Sequence, residues 1–402
     1  MTERDASIDA QSLLRLDAPP VEDLVRSPLA PERLHAEATR TTPTAPAPVR
    51  RLEYIDGLRA AAALWVLCHH TIETSEPVAA MHLPVVGSIL TSLFFGQFPV
   101  MVFLMLSGFC LYYPCVKKNV ADPTLKTSYG TFLLRRFKRI APPYYAAGAF
   151  CLLLFLFPAL QTGRWAAVGP IDFKVVLSHL LFFHNLIPSH ATKIDYPMWS
   201  IGLEWQLYLL FPLLVWCFRR SNGPVVIGVT LAIAAVIRGT YRMLPPDIAA
   251  VLHDGPFSYL EIFAAGMFAA RLTVQERKLL PNWALGCIVI AGFAIVRLGT
   301  GNGLVHDLAT SAAAFGILLL AIDPNSAMSR WLSTRWLVRI GIFSYSLYLV
   351  HAPFLHLLWF ALRPLQLSAD ATYLILVLCA PLLVALAYGF HRLFERPFMR
   401  VG

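Results

Sequence analysis

The chain has 402 residues, of which 57% are hydrophobic and only 14% are charged, and its mean hydropathy is +0.60. Soluble domains contain about 25% charged residues, so this composition excludes an ordinary soluble protein and indicates an integral membrane protein. The net charge of +9 does not indicate nucleic-acid binding, because the basic residues fall largely in loops on one side of the predicted helix bundle.

Residues 1–50 differ in composition from the rest of the chain. They are rich in Pro, Ala, Thr, Arg and Glu without apolar periodicity, which predicts a disordered cytoplasmic tail. No apolar segment of the signal-peptide kind precedes Tyr54. Residues 51–400 are predicted to form one membrane domain. The seven cysteines form no CxxC pair and no His-rich metal spacing, so we expect neither a disulfide nor a metal site.

The first apolar segment, 54–72, carries Arg59 near its start and His70 near its end. Eleven residues of helix place both side chains on one face, about 16 Å apart along the axis. A charge within a membrane helix costs roughly 2.5 kcal/mol or more, so we interpret Arg59 as functional rather than structural. His69 is expected to point about 100° away from His70 and is interpreted as structural.

The hydropathy pattern predicts an all-α fold with about ten membrane-spanning helices. They are placed at 54–72, 92–113, 142–160, 199–218, 224–240, 255–271, 283–298, 303–322, 341–361 and 372–391. A further apolar segment, 172–189, is interrupted by polar residues and is predicted to be re-entrant or interfacial. If it does not cross, 20 Lys and Arg face one side and 7 face the other. The positive-inside rule then places both termini in the cytoplasm and His70 near the outer surface of a cell or inner membrane.

The loop after the second span is strongly basic, and its last basic residues are Arg135, Arg136, Lys138 and Arg139. One interpretation is ordinary positive-inside charge that is attracted to anionic lipid headgroups. The other is a phosphate clamp, because the arginine fork matches phosphate oxygens and Arg136 and Arg139 share one face if they are helical. Coenzyme A or a nucleotide is the ligand that the second interpretation predicts.

Two polar features lie inside the predicted spans. Ser107 and Gly108 are small residues whose simplest role is helix packing, although the hydroxyl could also meet a polar partner. Glu204 lies one to two turns inside the fourth span, where a carboxylate usually has a cationic partner or holds a proton. Arg59 and His70 are the candidate partners, and a purely structural ion pair is the alternative.

Two further polar residues lie near the carboxyl end of the chain. His351, near the outer end of the ninth span, has hydrogen-bonded packing as its simplest role. Glu395 is expected to form a cytoplasmic ion pair with Arg392 or Arg396.

The segment DGLRAAAALWVLCHH, from Asp56 to His70, resembles the signature of the membrane acyltransferase-3 family, whose first helix carries Arg-x10-His. Four more matches follow in the family's order: SGF at 107–109, RxxR with an aromatic segment at 136–145, WSxxxExxxY at 199–208 and SYxLYLxH at 344–351. Where many relatives have a second glutamate, this chain has Trp205, so only Glu204 is carried over. Many relatives also have an esterase-like domain outside the cytoplasm, and this chain is expected to lack one.

The resemblance implies transfer of an acyl group, usually acetyl, from cytosolic acetyl-CoA to a hydroxyl of a sugar, polysaccharide or glycosylated product. It implies no permanently bound cofactor and no metal, with acyl-CoA, a sugar-containing acceptor and membrane lipids as partners. The implied site has three groups of residues: catalytic His70, Arg59 and Glu204; donor-binding Arg135, Arg136, Arg139, Ser107 and Gly108; and acceptor-binding Trp199, Ser200, Tyr208 and His351. The outer loops 73–91, 187–198 and 241–255 are expected to shape the acceptor site.

The chemistry of these residues agrees with that implication. Histidine is suited to take the proton of a hydroxyl near neutral pH, and the pantetheine arm of the donor would enter from the cytosol toward His70. Direct transfer and an acyl-enzyme on Ser107 both stay open. A proton-coupled transporter would also use intramembrane Arg, His and Glu, and a non-catalytic membrane sensor or scaffold is a third class.

Overall fold

The computed structural model describes residues 52–75, 96–299 and 303–399. The predicted tail at 1–50 and most of the predicted loop at 73–91 lie outside these ranges. Every regular element among the described residues is helical, which confirms the predicted all-α fold.

We number the α-helices in chain order. They are α1 Glu53–Ser75, α2 Gln97–Lys118, α3 Tyr129–Phe155, α4 Phe173–Leu180, α5 Trp199–Arg220, α6 Gly223–Thr240, α7 Pro246–His253, α8 Leu260–Val274, α9 Asn282–Leu298, α10 Gly303–Ile322, α11 Ala327–Leu332, α12 Arg335–Gly341, α13 Ser344–Leu362, α14 Ala369–Leu378, α15 Ala380–Phe390 and α16 Arg396–Met399. A π-helical turn, His391–Glu395, joins α15 to α16, and short 3-10 turns include His184–Leu186 and Tyr196–Met198.

Six helical segments of the described chain are long and apolar enough to cross a membrane. They are α2, α5 with its preceding turn, α6, α7 with α8, α10, and α13 with its following turn. Helices α14 and α15–α16 form a bent pair with an angle of 47° between its two parts, and counting this pair as one span gives seven candidate spans. The total of ten therefore stays a prediction. Helix α1 has 23 residues, enough to span, but its arginine, histidines and acidic residues lower its mean hydropathy.

The segment 172–189 forms no spanning helix. Helix α4 has eight residues, about 12 Å of rise against a hydrocarbon core of about 30 Å. Asp172 caps it, because one carboxylate oxygen accepts a hydrogen bond from the Val175 backbone N–H at 2.9 Å. That bond to the charged form holds the pKa of Asp172 below its ordinary value. A helix this short agrees with the predicted re-entrant or interfacial placement of segment 172–189.

Close helix contact explains Gly108. A Cβ atom there would lie 2.1 Å from the carbonyl oxygen of Phe263 on α8, so only glycine lets α2 and α8 approach this closely. The structure thus places Gly108 in helix packing, which was the simpler of the two interpretations of the Ser107-Gly108 pair.

Glu395 is buried, and the prediction of an ion pair with Arg392 or Arg396 is wrong. Its carboxylate accepts hydrogen bonds from the Ser346 hydroxyl at 2.5 Å and from the His391 Nδ1 at 2.9 Å. Residues His391–Glu395 form a π-helical turn, in which the residue spacing differs from that of an α-helix. Glu395 ends this turn, and its side chain contacts α13 inside the bundle.

Candidate active site

Helix α1 carries two polar clusters, one around Arg59 and one around His70. The guanidinium of Arg59 donates to the Cys110 Sγ on α2 at 3.3 Å and lies 3.8 Å from the Asp56 carboxylate. It is also within electrostatic range of Glu204 and Tyr208 on α5. We call Arg59, Cys110, Ser107, Glu204, Tyr208 and Arg136 the arginine cluster.

Glu204 is held by hydroxyl groups. It accepts hydrogen bonds from the Ser107 hydroxyl and from the Tyr208 hydroxyl, the latter at 2.5 Å. Arg59 and Arg136 both lie within electrostatic range of its carboxylate, although no ion pair to Glu204 is formed within 4.0 Å by the described side chains. Of the two candidate partners named from the sequence, Arg59 is therefore the one that shares a cluster with Glu204.

The basic segment after α2 forms the first turns of α3, which begins at Tyr129 after a Ser128 N-cap. Arg136 and Arg139 are thus helical and three residues apart, as the phosphate-clamp interpretation requires. Arg136 is half-buried beside the Phe132 ring, and its Nε is buried without a hydrogen-bond partner in the described chain. Arg135 and Arg139 are exposed. One arginine of this segment therefore joins the arginine cluster and the other two face outward.

The second cluster centres on His70, whose Nδ1 lies 2.8 Å from a carboxylate oxygen of Glu73. A neutral His70 that donates to this carboxylate carries its hydrogen on Nδ1 and has its lone pair on Nε2. The other oxygen of Glu73 lies 3.4 Å from the Nε2 of His69. Sequence reasoning missed Glu73, although its positions at i+3 from His70 and i+4 from His69 were a usable signal.

The prediction that the His69 side chain points away from His70 is wrong, whereas its interpretation as a structural residue stays a prediction. The two imidazole centroids are 4.9 Å apart, and both rings reach the same carboxylate. Backbone directions about 100° apart converge here because the side chains are long enough to bend toward one residue on the next turn.

The His70 ring also contacts Tyr196 edge-on at 4.6 Å and stacks on His351 at 5.1 Å between centroids. His351 is only 1% exposed, and its Nδ1 donates to the Tyr348 carbonyl at 2.7 Å. The Nε2 of His351 is buried without a hydrogen-bond partner among the described residues. His351 is thus the packing partner of His70, and its tautomer is fixed by the backbone.

The residues predicted to bind the acceptor fall in different places. Ser200 is buried and hydrogen-bonds the Tyr348 hydroxyl at 2.7 Å, and that hydroxyl also donates to the Pro197 carbonyl at 2.9 Å. These bonds fix the turn that presents Tyr196 to His70. Trp199 faces a cavity with His70, whereas Tyr208 belongs to the arginine cluster.

The cavity beside His70 has a volume of about 470 Å³, and we call it the histidine cavity. Its walls combine aromatic rings with polar groups: His69, His70, Glu73, Gln97, Asn185, Thr192, Tyr196, Trp199, His253, Asp254, Tyr259 and Tyr348, with Val66, Gly96, Val100, Ala191 and Pro197. The predicted loops 187–198 and 241–255 both contribute. A cavity of this size holds a small ligand or one to two sugar rings, and its lining resembles that of small-molecule sites.

Comparisons with known proteins show the family to which the chain belongs. A family model described as "Acyltransferase domain" matches residues 52–390. The chain is 29% identical to the exopolysaccharide production protein ExoZ of Rhizobium meliloti over 320 residues, which cover 76% of this chain and 90% of that protein.

Two further relatives are less similar to this chain than ExoZ is. The chain is 24% identical to the O-acetyltransferase OatA of Staphylococcus aureus, over 76% of this chain and 50% of that one. It is 27% identical to the regulator of hypoxia-inducible factor 1 of Caenorhabditis elegans, over 69% of this chain and 59% of that one.

The chain thus spans 50% and 59% of the lengths of these last two relatives. No solved structure matches it. The family match covers the helices that carry both polar clusters, and the chain belongs to the membrane acyltransferase-3 family.

Proposed function

We propose that the protein is a membrane O-acyltransferase that moves an acyl group, with acetyl as the proposed group, from cytosolic acyl-CoA to a hydroxyl of a sugar-containing acceptor. The observation that carries the proposal is the His70–Glu73 pair in the wall of the histidine cavity. An imidazole with its lone pair on Nε2 and a carboxylate on Nδ1 is equipped to take a proton from a hydroxyl. Two relatives support the choice of acceptor by name, one an O-acetyltransferase and the other a protein of exopolysaccharide production.

The donor is assigned to the arginine cluster and the exposed arginines beside it. Arg135, Arg136 and Arg139 offer cations to the phosphates of coenzyme A at the end of α3 that the charge distribution places in the cytoplasm. Arg59 and His70 lie about 16 Å apart along α1. The pantetheine arm would extend past Arg59 and Glu204 and bring its thioester to the histidine cavity, with both termini of the chain in the cytoplasm.

The reaction proceeds by direct transfer. His70 Nε2 takes the proton of the acceptor hydroxyl as its oxygen attacks the thioester carbonyl. The new C–O bond forms, the C–S bond breaks, and the leaving thiolate takes the proton from the imidazolium. Glu73 stabilises that imidazolium, the role that a carboxylate has beside histidine in serine hydrolases.

An acyl-enzyme on Ser107 is less compatible with the geometry. Val100 lines the histidine cavity, and Ser107 lies seven residues further along α2, which corresponds to about 10 Å of helix rise. An acyl group on that hydroxyl would have to leave the cavity in which we place the acceptor.

The test uses purified protein in detergent with acetyl-labelled acetyl-CoA and a panel of oligosaccharides. We expect wild type to release free CoA and label an oligosaccharide, His70→Ala to bind acetyl-CoA without turnover, and Arg136→Ala with Arg139→Ala to bind it weakly. Wild-type protein that binds no acyl-CoA would refute the proposal, and vesicle flux assays for a proton-coupled transporter would follow.

A further inference from the structure

The end of α1 brings three metal-ligating side chains together. One possible ligand atom from each of His69, His70 and Glu73 lies within 4.8 Å of the other two. The helix produces this arrangement, since Glu73 is four residues from His69 and three from His70. The sequence analysis predicts no metal site, because it finds no CxxC pair and no His-rich metal spacing.

We propose that His69, His70 and Glu73 bind a divalent transition-metal ion, with Zn²⁺ as the preferred ion, and that the bound ion inhibits acyl transfer. Two imidazoles and one carboxylate form a donor set that Zn²⁺ uses in proteins, at bond lengths of about 2.0–2.2 Å. Ligand atoms of a tetrahedral site with such bonds are roughly 3.4 Å apart. The His69 Nε2 lies 3.4 Å from one oxygen of the Glu73 carboxylate, and the His70 Nδ1 lies 2.8 Å from the other oxygen. Small rotations of these three side chains are therefore needed to turn their ligand atoms toward one ion.

The surroundings favour access of an ion. All three residues line the histidine cavity, so a fourth coordination position can be filled by water or ligand from the cavity. Gly96 leaves room for His69, because a Cβ atom there would lie 2.5 Å from the imidazole ring. Any larger residue at that position would displace the ring from Glu73.

The inhibition follows from the tautomer of His70 and rests on the proposed function. Coordination through Nδ1 replaces the bond to Glu73 and moves the imidazole hydrogen to Nε2. Nε2 is the nitrogen that would take the acceptor's proton, so a metal-bound His70 has no lone pair left for that step. The ion therefore blocks the base without any change in the fold.

The test starts from full-length protein in detergent that has been stripped of metal with a chelator, and titrates it with Zn²⁺ in a calorimeter. We expect one ion per wild-type chain, with at least about tenfold weaker binding to His69→Gln and to Glu73→Gln. His253→Gln is the matched control: this histidine lines the same cavity but pairs with Asp254 at 2.8 Å and is not one of the three ligands. Size-exclusion profiles of all variants report folding.

Acyl transfer is then measured over the same Zn²⁺ concentrations. Wild-type activity should fall with the concentration dependence of binding and recover on addition of chelator. His69→Gln, compared with its own metal-free activity, should need at least about tenfold more Zn²⁺ for the same loss.

Three results would overturn the proposal. Absence of one-to-one binding, or wild-type affinity in a well-folded His69→Gln variant, removes the site. Loss of activity on chelation, in place of a gain, removes the inhibition. A chain that binds Zn²⁺ but transfers no acyl group overturns the inhibition and the proposed function while the site stands, because calorimetry reads binding without activity.

Discussion

The contact between Glu73 and His70 gives the most decisive prediction, which is the effect of Glu73→Gln. The wild-type carboxylate lies 2.8 Å from His70 Nδ1 and is 34% exposed. A hydrogen bond to a charged group contributes about 1.5–3 kcal/mol, and the imidazolium that forms in the transition state depends on it. Each 1.4 kcal/mol corresponds to a factor of ten in rate, so kcat should fall by about 10- to 100-fold.

A larger loss, near the ~10⁴-fold seen when a buried triad carboxylate is neutralised, is not expected here, because water can reach Glu73 and replace part of its interaction. The KM for acyl-CoA should stay within about twofold, since Glu73 belongs to the His70 cluster and the arginine cluster holds the donor.

The assay is steady-state release of CoA with a saturating oligosaccharide acceptor, for wild type, Glu73→Gln and His70→Gln. Glu53→Gln provides the matched control, because Glu53 is exposed at the opposite end of the same helix. The reasoning is refuted if Glu73→Gln keeps wild-type kcat while His70→Gln is inactive, since His70 would then act without its carboxylate.

Three further predictions concern the donor, the helix packing and one buried acid. Arg136→Ala should raise the KM for acyl-CoA about tenfold, because a lost charge-assisted hydrogen bond costs about 1.5 kcal/mol or more. The exposed Arg139→Ala should raise it less. Equal effects of the two variants on KM in steady-state kinetics would argue against an inward-facing Arg136. Gly108→Ala should destabilise the helix bundle by about 1–3 kcal/mol through overpacking, which is measured as a lower midpoint of thermal unfolding in detergent. Gly286→Ala is the control and should not lower the midpoint, because the space around its Cβ is open. Burial raises the pKa of Asp195 well above its ordinary value, and both carboxylate oxygens are without hydrogen-bond partners in the described chain. The folded state therefore holds a proton that the unfolded state loses above about pH 3.9. Wild-type stability should accordingly fall relative to Asp195→Asn as the pH rises from 4 to 8, and parallel melting curves would contradict this.

Helical periodicity was sufficient to predict the main scaffold of the site. It placed Arg59 and His70 on one face of α1, and the structure finds each at the centre of a polar cluster. The basic segment at 135–139 was predicted as a helix only conditionally, and α3 supplies that helix. Each of these predictions depends only on the spacing of residues within one helix, and the sequence alone specifies that spacing.

The structure adds what the sequence could not predict where contacts cross between helices or where side chains bend. Trp199 and Tyr208 share one sequence motif, but nine residues of α5 separate them by about 14 Å, so one lines the histidine cavity and the other binds Glu204. Glu395 is flanked by arginines in sequence, yet a π-helical turn carries it to Ser346. No pattern in a single sequence specifies which neighbouring helix such a residue will meet.

The two clusters on α1 also constrain the chemistry of the proposed reaction. A helix rises about 1.5 Å per residue, so the distance between Arg59 and His70 is fixed by eleven residues of rigid backbone. A donor whose phosphates are held beside the arginines must therefore be long and narrow to deliver its reactive group to His70. A thioester at the end of a pantetheine arm has that shape, whereas a compact donor bound at the same cations would leave its acyl group a full three helical turns short. In the proposed reaction, the eleven-residue spacing between Arg59 and His70 therefore separates the donor's phosphates from the acceptor's hydroxyl.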